Sequence, residues 1–183
     1  LTYAEVGARV ARVAAALADA GLTAHQVVAI ALDDPLEHWT ATVAVAHVGA
    51  TVLSLTGAMA QAQREQLMRQ TACAYAIAEE ESPASTAPTG VPVLHWSAVL
   101  AQCTDRCLPP AGVTADQPWL YVSGSGSTGQ PKVIPITHRQ EWARTRSAAA
   151  GLPYEADDIV YPMLGMGMHL PLLDWLNAYA FPT

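Results

Sequence analysis

The chain has 183 residues, 51% of them hydrophobic, enough for one sizeable core with a small appendage. Its formal net charge is −7, it has a single lysine (Lys132), and no run of Lys or Arg occurs. Nucleic-acid binding is therefore disfavoured, because it usually rests on clustered cations. No basic segment leading into an apolar one marks a secretory leader. The apolar stretch Thr40–Ala60 is broken by His47, Gly49, Ser54 and Gly57, so it reads as core rather than as a membrane span.

Thr2, Tyr3, Ala4 and Glu5 form a capping box, and Val6, Val10, Val13 and Leu17 follow at spacings of four, three and four. This predicts an amphipathic helix that stops at Gly21. Val27–Leu32 is a continuous apolar run of strand length, suited to a sheet covered on both faces. Asp34, Pro35 and Glu37 open a second helix, with an N-cap carboxylate and proline in the first turn, running to about Val48 and ending at Gly49. Thr51–Leu55 reads as a strand, Ala60–Thr71 as a third helix and Ala74–Ala78 as another strand. Glu79–Gly90 is a solvated loop, Val91–Leu94 a short strand, and Ser97–Gln102 a helical turn. Alternation of strand and helix predicts an α/β fold, a mostly parallel sheet with helices on both faces.

Three cysteines, Cys73, Cys103 and Cys107, form no Cys-x-x-Cys pair, and Cys103, Cys107 and His95 lack an evident fourth metal ligand. The expectation is free thiols in a reducing cytoplasm and no metal site. The adjacent carboxylates Asp33–Asp34 and Asp157–Asp158 read as caps or solvated groups, and Glu79–Glu81 as a solvated charge run. The tryptophans are too scattered for a base-stacking platform.

The chemistry concentrates in Tyr121–His138. The strand signal Trp119–Val122 runs into seven residues drawn only from Gly, Ser and Thr, then Gln130, Pro131 and Lys132, and then a second apolar run, Val133–Ile136. Glycines allow close approach, so such a loop can turn several backbone N–H groups toward one anion. The hydroxyls of Ser125, Ser127 and Thr128 add donors, and Lys132 adds a mobile positive charge. Gly124 and Gly129 have Walker A spacing, but Gln130 stands where lysine is needed. Gly124, Gly126 and Gly129 satisfy G-x-G-x-x-G, yet Pro131 and the β-branched run predict a strand where a dinucleotide loop needs a helix. The kinase signatures His-Arg-Asp and Asp-Phe-Gly are missing, and Gly124–Gly126 does not make a nucleophile elbow. A plain Gly/Ser turn between strands is the bland alternative, but it requires no Pro131–Lys132 or Thr137–His138 at fixed distance.

Ser125–Lys132, followed by Thr137–His138, resembles the phosphate loop of the adenylate-forming enzymes: acyl- and aryl-CoA ligases, adenylation domains of non-ribosomal peptide synthetases, and luciferases. Val133 departs from the glycine usual after Pro-Lys. Leu1–Leu22 resembles the family's opening helix. Gly49–Leu55 resembles its Gly-Ala-x-x-x-Pro-Leu segment, with Ser54 in place of proline. The resemblance implies ATP-dependent activation of a carboxylic acid as acyl-adenylate, with Mg²⁺, and transfer to CoA or to an acyl or peptidyl carrier protein. Ser125, Gly126, Ser127, Thr128, Gly129 and Lys132 would bind ATP phosphates, Thr128 and Lys132 also serving catalysis. After a helix over about Arg139–Ala150, Asp157–Pro162 resembles the family's next Asp-x-Val segment, and His169 is a candidate for the acyl pocket. The resemblance covers only the amino-terminal part of the family's large domain. Residues 1–183 are thus expected to be one partial α/β domain without the small lid domain, inactive alone and prone to self-association through apolar edges. The rival expectation is a non-catalytic docking domain within a multidomain synthase.

Overall fold

The computed structural model describes residues 2–56, 59–80, 90–124 and 132–151. In chain order the elements are α1 (Tyr3–Asp19), β1 (Val27–Ala31), α2 (Pro35–His47), β2 (Thr51–Ser54), α3 (Gln61–Gln70), β3 (Tyr75–Ala78), β4 (Val93–His95), α4 (Trp96–Ala101), β5 (Pro118–Gly124), β6 (Lys132–Thr137) and α5 (His138–Gly151). The strands form one sheet in the order β4-β3-β1-β2-β5-β6. Neighbours from β4 to β5 are parallel, and β6 runs antiparallel to β5. The expected α/β architecture is present. Strand β4 begins two residues after the predicted Val91 because its first ladder partner is Val93, opposite Ala76.

Strand alternation divides the core into two. Val28 and Ile30 of β1 meet Val13 and Leu17 of α1 and Ala44 and Val45 of α2 on one face. Ala29 and Ala31, pointing the other way, meet Leu67 and Met68 of α3. Helices therefore cover both faces, which is why β1 carries no polar residue. Leu17, Ile30, Leu53 and Leu120 are fully buried, and each such side chain contributes about 1.5–3 kcal/mol relative to exposure. Helix α2 is buried on several sides, at Trp39, Thr40, Ala41, Thr42 and Val45, because it shares the first core with both α1 and the sheet.

The predicted helix signals are seen at the termini. Thr2 and Glu5 satisfy each other's backbone as a capping box, and the Asp34 side chain accepts from the Glu37 N–H. Gly49 has φ +86°, and a Cβ there would sit 3.0 Å from the Ala111 Cβ, so the turn into β2 needs glycine twice over.

Three helices are tied together by one carboxylate. Glu37 on α2 accepts from Arg9 Nη2 of α1 at 2.5 and 2.6 Å and from Trp96 Nε1 of α4 at 2.8 Å. The ion pair is about one-quarter exposed, so solvent screens part of the attraction while the half-buried donors still require an acceptor. Glu37→Ala should lower unfolding stability by about 2 kcal/mol, the scale of hydrogen bonds to a charged group. Urea denaturation would show it, with Glu37→Gln falling between the two.

Candidate phosphate-binding site

Strand β5 carries the candidate loop and is held on both sides. On one side Leu53 of β2 pairs with Tyr121, and the Thr51 hydroxyl donates to the Pro118 carbonyl at 2.7 Å. On the other, the antiparallel ladder runs from Pro118 opposite Thr137 to Gly124 opposite Lys132. Pro135 has no N–H to give, and β6, paired only with β5 among the described residues, tolerates it as an outer strand. Val133 keeps register opposite Ser123 and packs partly buried against the second core. The substitution of valine for glycine is thus absorbed by the sheet.

The hairpin is clamped at its base. The Thr137 hydroxyl accepts from the Gln140 N–H at 3.2 Å, and the Gln140 side chain accepts from the Thr137 N–H at 2.9 Å. Thr137 therefore acts as the N-cap of α5. The next amides, of His138 and Arg139, donate to the carbonyls of Gln117 and Ala115 just before β5. Gln117 in turn donates to the Gly49 carbonyl at 2.7 Å. Arg139 pairs with exposed Asp116 at 2.8 Å, which holds the Asp116 carboxyl below its ordinary range. The imidazole of His138 lies against Trp119, ring centres 6.5 Å apart, and its burial keeps its pKa below the usual histidine range. Thr137 and His138 thus anchor the hairpin at the end opposite the loop.

At the other end, Gly124 and Lys132 face each other across the ladder, and Lys132 is exposed. Ser125, Gly126, Ser127, Thr128, Gly129, Gln130 and Pro131 join them and lie outside the described residues, as do Asp157–Pro162 and His169. Both ends of the loop are fixed by the sheet at the carboxyl edge of its parallel strands, where open α/β sheets bind ligands. His95, Cys103 and Cys107 do not come together: among the described residues no three His, Cys, Asp or Glu side chains could share a cation. Among the described residues no helix is long and apolar enough to cross a membrane.

A polar pair at this edge escaped the sequence reading. His38 is wholly buried, with Nδ1 3.0 Å from the Leu32 carbonyl and Nε2 2.7 Å from the Ser54 hydroxyl. A carbonyl only accepts, so Nδ1 carries the proton and Nε2 accepts from Ser54. Burial pushes the His38 pKa down, opposed by the Leu32 hydrogen bond and by Asp33. The only signal in the sequence was Ser54 in place of proline; its partner lies sixteen residues away, on another element.

Comparison with known proteins agrees with this architecture. The chain matches the AMP-binding enzyme family over residues 1–180. It is 28% identical over 193 residues to the salicyl-AMP ligase / salicyl-S-ArCP synthetase of Mycobacterium tuberculosis, covering 94% of this chain and 34% of that protein. It is 34% identical over 140 residues to the phenyloxazoline synthase MbtB of a Mycobacterium species, covering 75% of this chain and 12% of that one. The chain therefore spans about a third or less of these relatives. In structure it superimposes on the Klebsiella oxytoca NpsA N-terminal subdomain (TM-score 0.85, 23% identity, 98% of this chain and 44% of that one). It also superimposes on the O-succinylbenzoate coenzyme A synthetase of Bacillus subtilis in complex with AMP (TM-score 0.90, 18% identity, 98% and 47%). The sheet order, the clamped hairpin and the family match over nearly the whole length identify this chain as a member of the AMP-binding enzyme family.

Proposed function

We propose that residues 1–183 supply the phosphate-binding part of an ATP-dependent, carboxylate-activating ligase that forms acyl-adenylates. The observation that carries this reading is the run Ser125–Lys132 strung between Gly124 and Lys132, two residues fixed opposite each other at the end of β5. The donor set fits a polyphosphate: hydroxyls of Ser125, Ser127 and Thr128, loop N–H groups, and the exposed ammonium of Lys132. Bound Mg-ATP would supply the electrophilic α-phosphorus and a pyrophosphate leaving group, the metal arriving with the nucleotide.

In this reading the loop donors hold the β- and γ-phosphate oxygens, and Lys132 and Thr128 stabilise negative charge that grows as the α–β bond breaks. Such donors act most strongly when preorganised. The ladder from Pro118 to Gly124 and the cap at Thr137 support that arrangement by anchoring both arms of the hairpin. The activated acid would then pass to a thiol of CoA or of a carrier protein. His169 is assigned to the acyl pocket by resemblance alone. The chain acts as one partial domain, and turnover requires further polypeptide.

Carboxylate-dependent ATP–pyrophosphate exchange tests the proposal, on this chain and on a longer polypeptide that spans the full family length. Exchange confined to the longer form is the expected result. Silence in both, with folding verified and a broad panel of acids supplied, would overturn it.

A further inference from the structure

Ser54 closes β2, and its hydroxyl donates to Nε2 of His38 at 2.7 Å. Nδ1 of the same ring donates to the Leu32 carbonyl, just past β1, at 3.0 Å. One buried side chain of α2 thus holds the carboxyl ends of two neighbouring parallel strands. An apolar pair of the same shape can be about as stable, because desolvation offsets most of what a buried hydrogen bond contributes. What the polar pair adds is direction. Two satisfied bonds of defined length and angle fix a position more tightly than apolar contact does.

Beside that position lies the root of the candidate phosphate loop. Strands β2 and β5 pair at Val52–Leu120 and Leu53–Tyr121, so the next residues in register are Ser54 and Val122. Val122 packs on the first core, which α2 helps to form. Among the described residues β2 offers no ladder partner to Val122, Ser123 or Gly124, which are half-buried and held on their other side by β6. Ser54 also stands where the family segment it resembles has proline. Proline restrains the backbone through its ring, whereas serine does so only through its hydroxyl, for which His38 is the acceptor. We propose that His38 is a positioning residue for the adenylation step: through Ser54 it fixes the end of β2, against which the root of the phosphate loop is set. The inference rests on the adenylating reading above. Preorganised donors lose effect when displaced, and a shift of about 1 Å that starts away from the chemistry can cost about 10²-fold in rate.

The test is carboxylate-dependent ATP–pyrophosphate exchange by the longer polypeptide that spans the full family length, over a range of ATP, with each variant verified as folded. His38→Leu removes both hydrogen bonds and should lower kcat by about tenfold, with KM for ATP changed by less than about threefold. Ser54→Ala should give the same pattern, and the double variant should lose no more than either alone, since both break one linkage. His38→Gln, whose amide can accept from Ser54 and donate to the Leu32 carbonyl, should keep kcat within about threefold of native. Val99→Ala, a core deletion on α4 next to the distant edge strand β4, should destabilise the fold and leave kcat unchanged. The proposal is overturned if His38→Leu or Ser54→Ala keeps the native kcat, if their losses multiply, or if His38→Gln falls as far as His38→Leu. It is also overturned if Val99→Ala matches them, since the loss would then follow stability. Native exchange with unaffected variants overturns this inference alone, whereas no exchange in the native polypeptide overturns the adenylating reading and this inference with it.

Discussion

Thr128→Ala, placed in a longer polypeptide that spans the full family length, is expected, on the proposed function, to lower carboxylate-dependent ATP–pyrophosphate exchange by about 10²-fold, the usual cost of deleting one preorganised donor from a site of developing negative charge. The expectation rests on position as well as type. Thr128 lies midway in a loop whose two ends, Gly124 and Lys132, are paired across a ladder, so loss of its hydroxyl is not readily compensated by movement of the arms. Lys132→Ala should also slow exchange, and its effect should shrink as salt rises because an exposed ammonium is screened. Unchanged exchange in Thr128→Ala, with the fold intact by circular dichroism, would falsify the role given to this residue. Val133→Gly is expected to leave exchange nearly unaltered, since the backbone at 133 keeps register opposite Ser123 within the ladder and its side chain packs against the second core.

The second large effect is on stability against pH. His38 is buried as the neutral imidazole, so its folded pKa lies below the unfolded value of about 6.5. Below that value the unfolded chain binds a proton that the folded chain resists. Stability is therefore full above about pH 6.5 and falls as the pH drops toward the folded pKa, with a limiting slope of about 1.4 kcal/mol per pH unit for one such proton. His138, lowered by its own burial, adds in the same direction. The lowered carboxyl of Asp116 responds in a more acidic window, below about pH 4. Urea titrations from pH 7.5 to 5 should show the loss in the native chain and a shallower one in His38→Gln, where the His138 share persists. Equal slopes in the two proteins would show that the His38–Ser54 pair does not set the acid limit. Ser54→Ala should cost about 1–3 kcal/mol at neutral pH by stranding Nε2 of His38 without its donor.

Much of the architecture was legible because it is written locally. Thr2 with Glu5, and Asp34 with Pro35 and Glu37, mark helix starts through hydrogen bonds spanning three residues. Gly21 and Gly49 mark the stops, and both adopt positive φ. The apolar run Val27–Leu32 announced a strand covered on both faces, as the two cores confirm. Boundaries near β4 and α4 were less legible: Val91–His95 satisfies a strand pattern at several registers, and only pairing with β3 selects Val93.

By itself the sequence determined the alternation of strands and helices, the position of the candidate phosphate loop and the family to which the chain belongs, since each depends on residues close together in the chain. Tertiary structure decided what depends on distant partners. It sets the strand order, with β1 central and β5 beside β2, and the role of Thr137 and His138 as anchors of the hairpin base. It joins Arg9, Glu37 and Trp96 across three helices, and buries His38 against Ser54. It also leaves a cavity between α2 and α5. Periodicity carries no information about which buried polar atom meets which, because that follows from how separately formed elements dock against a shared sheet.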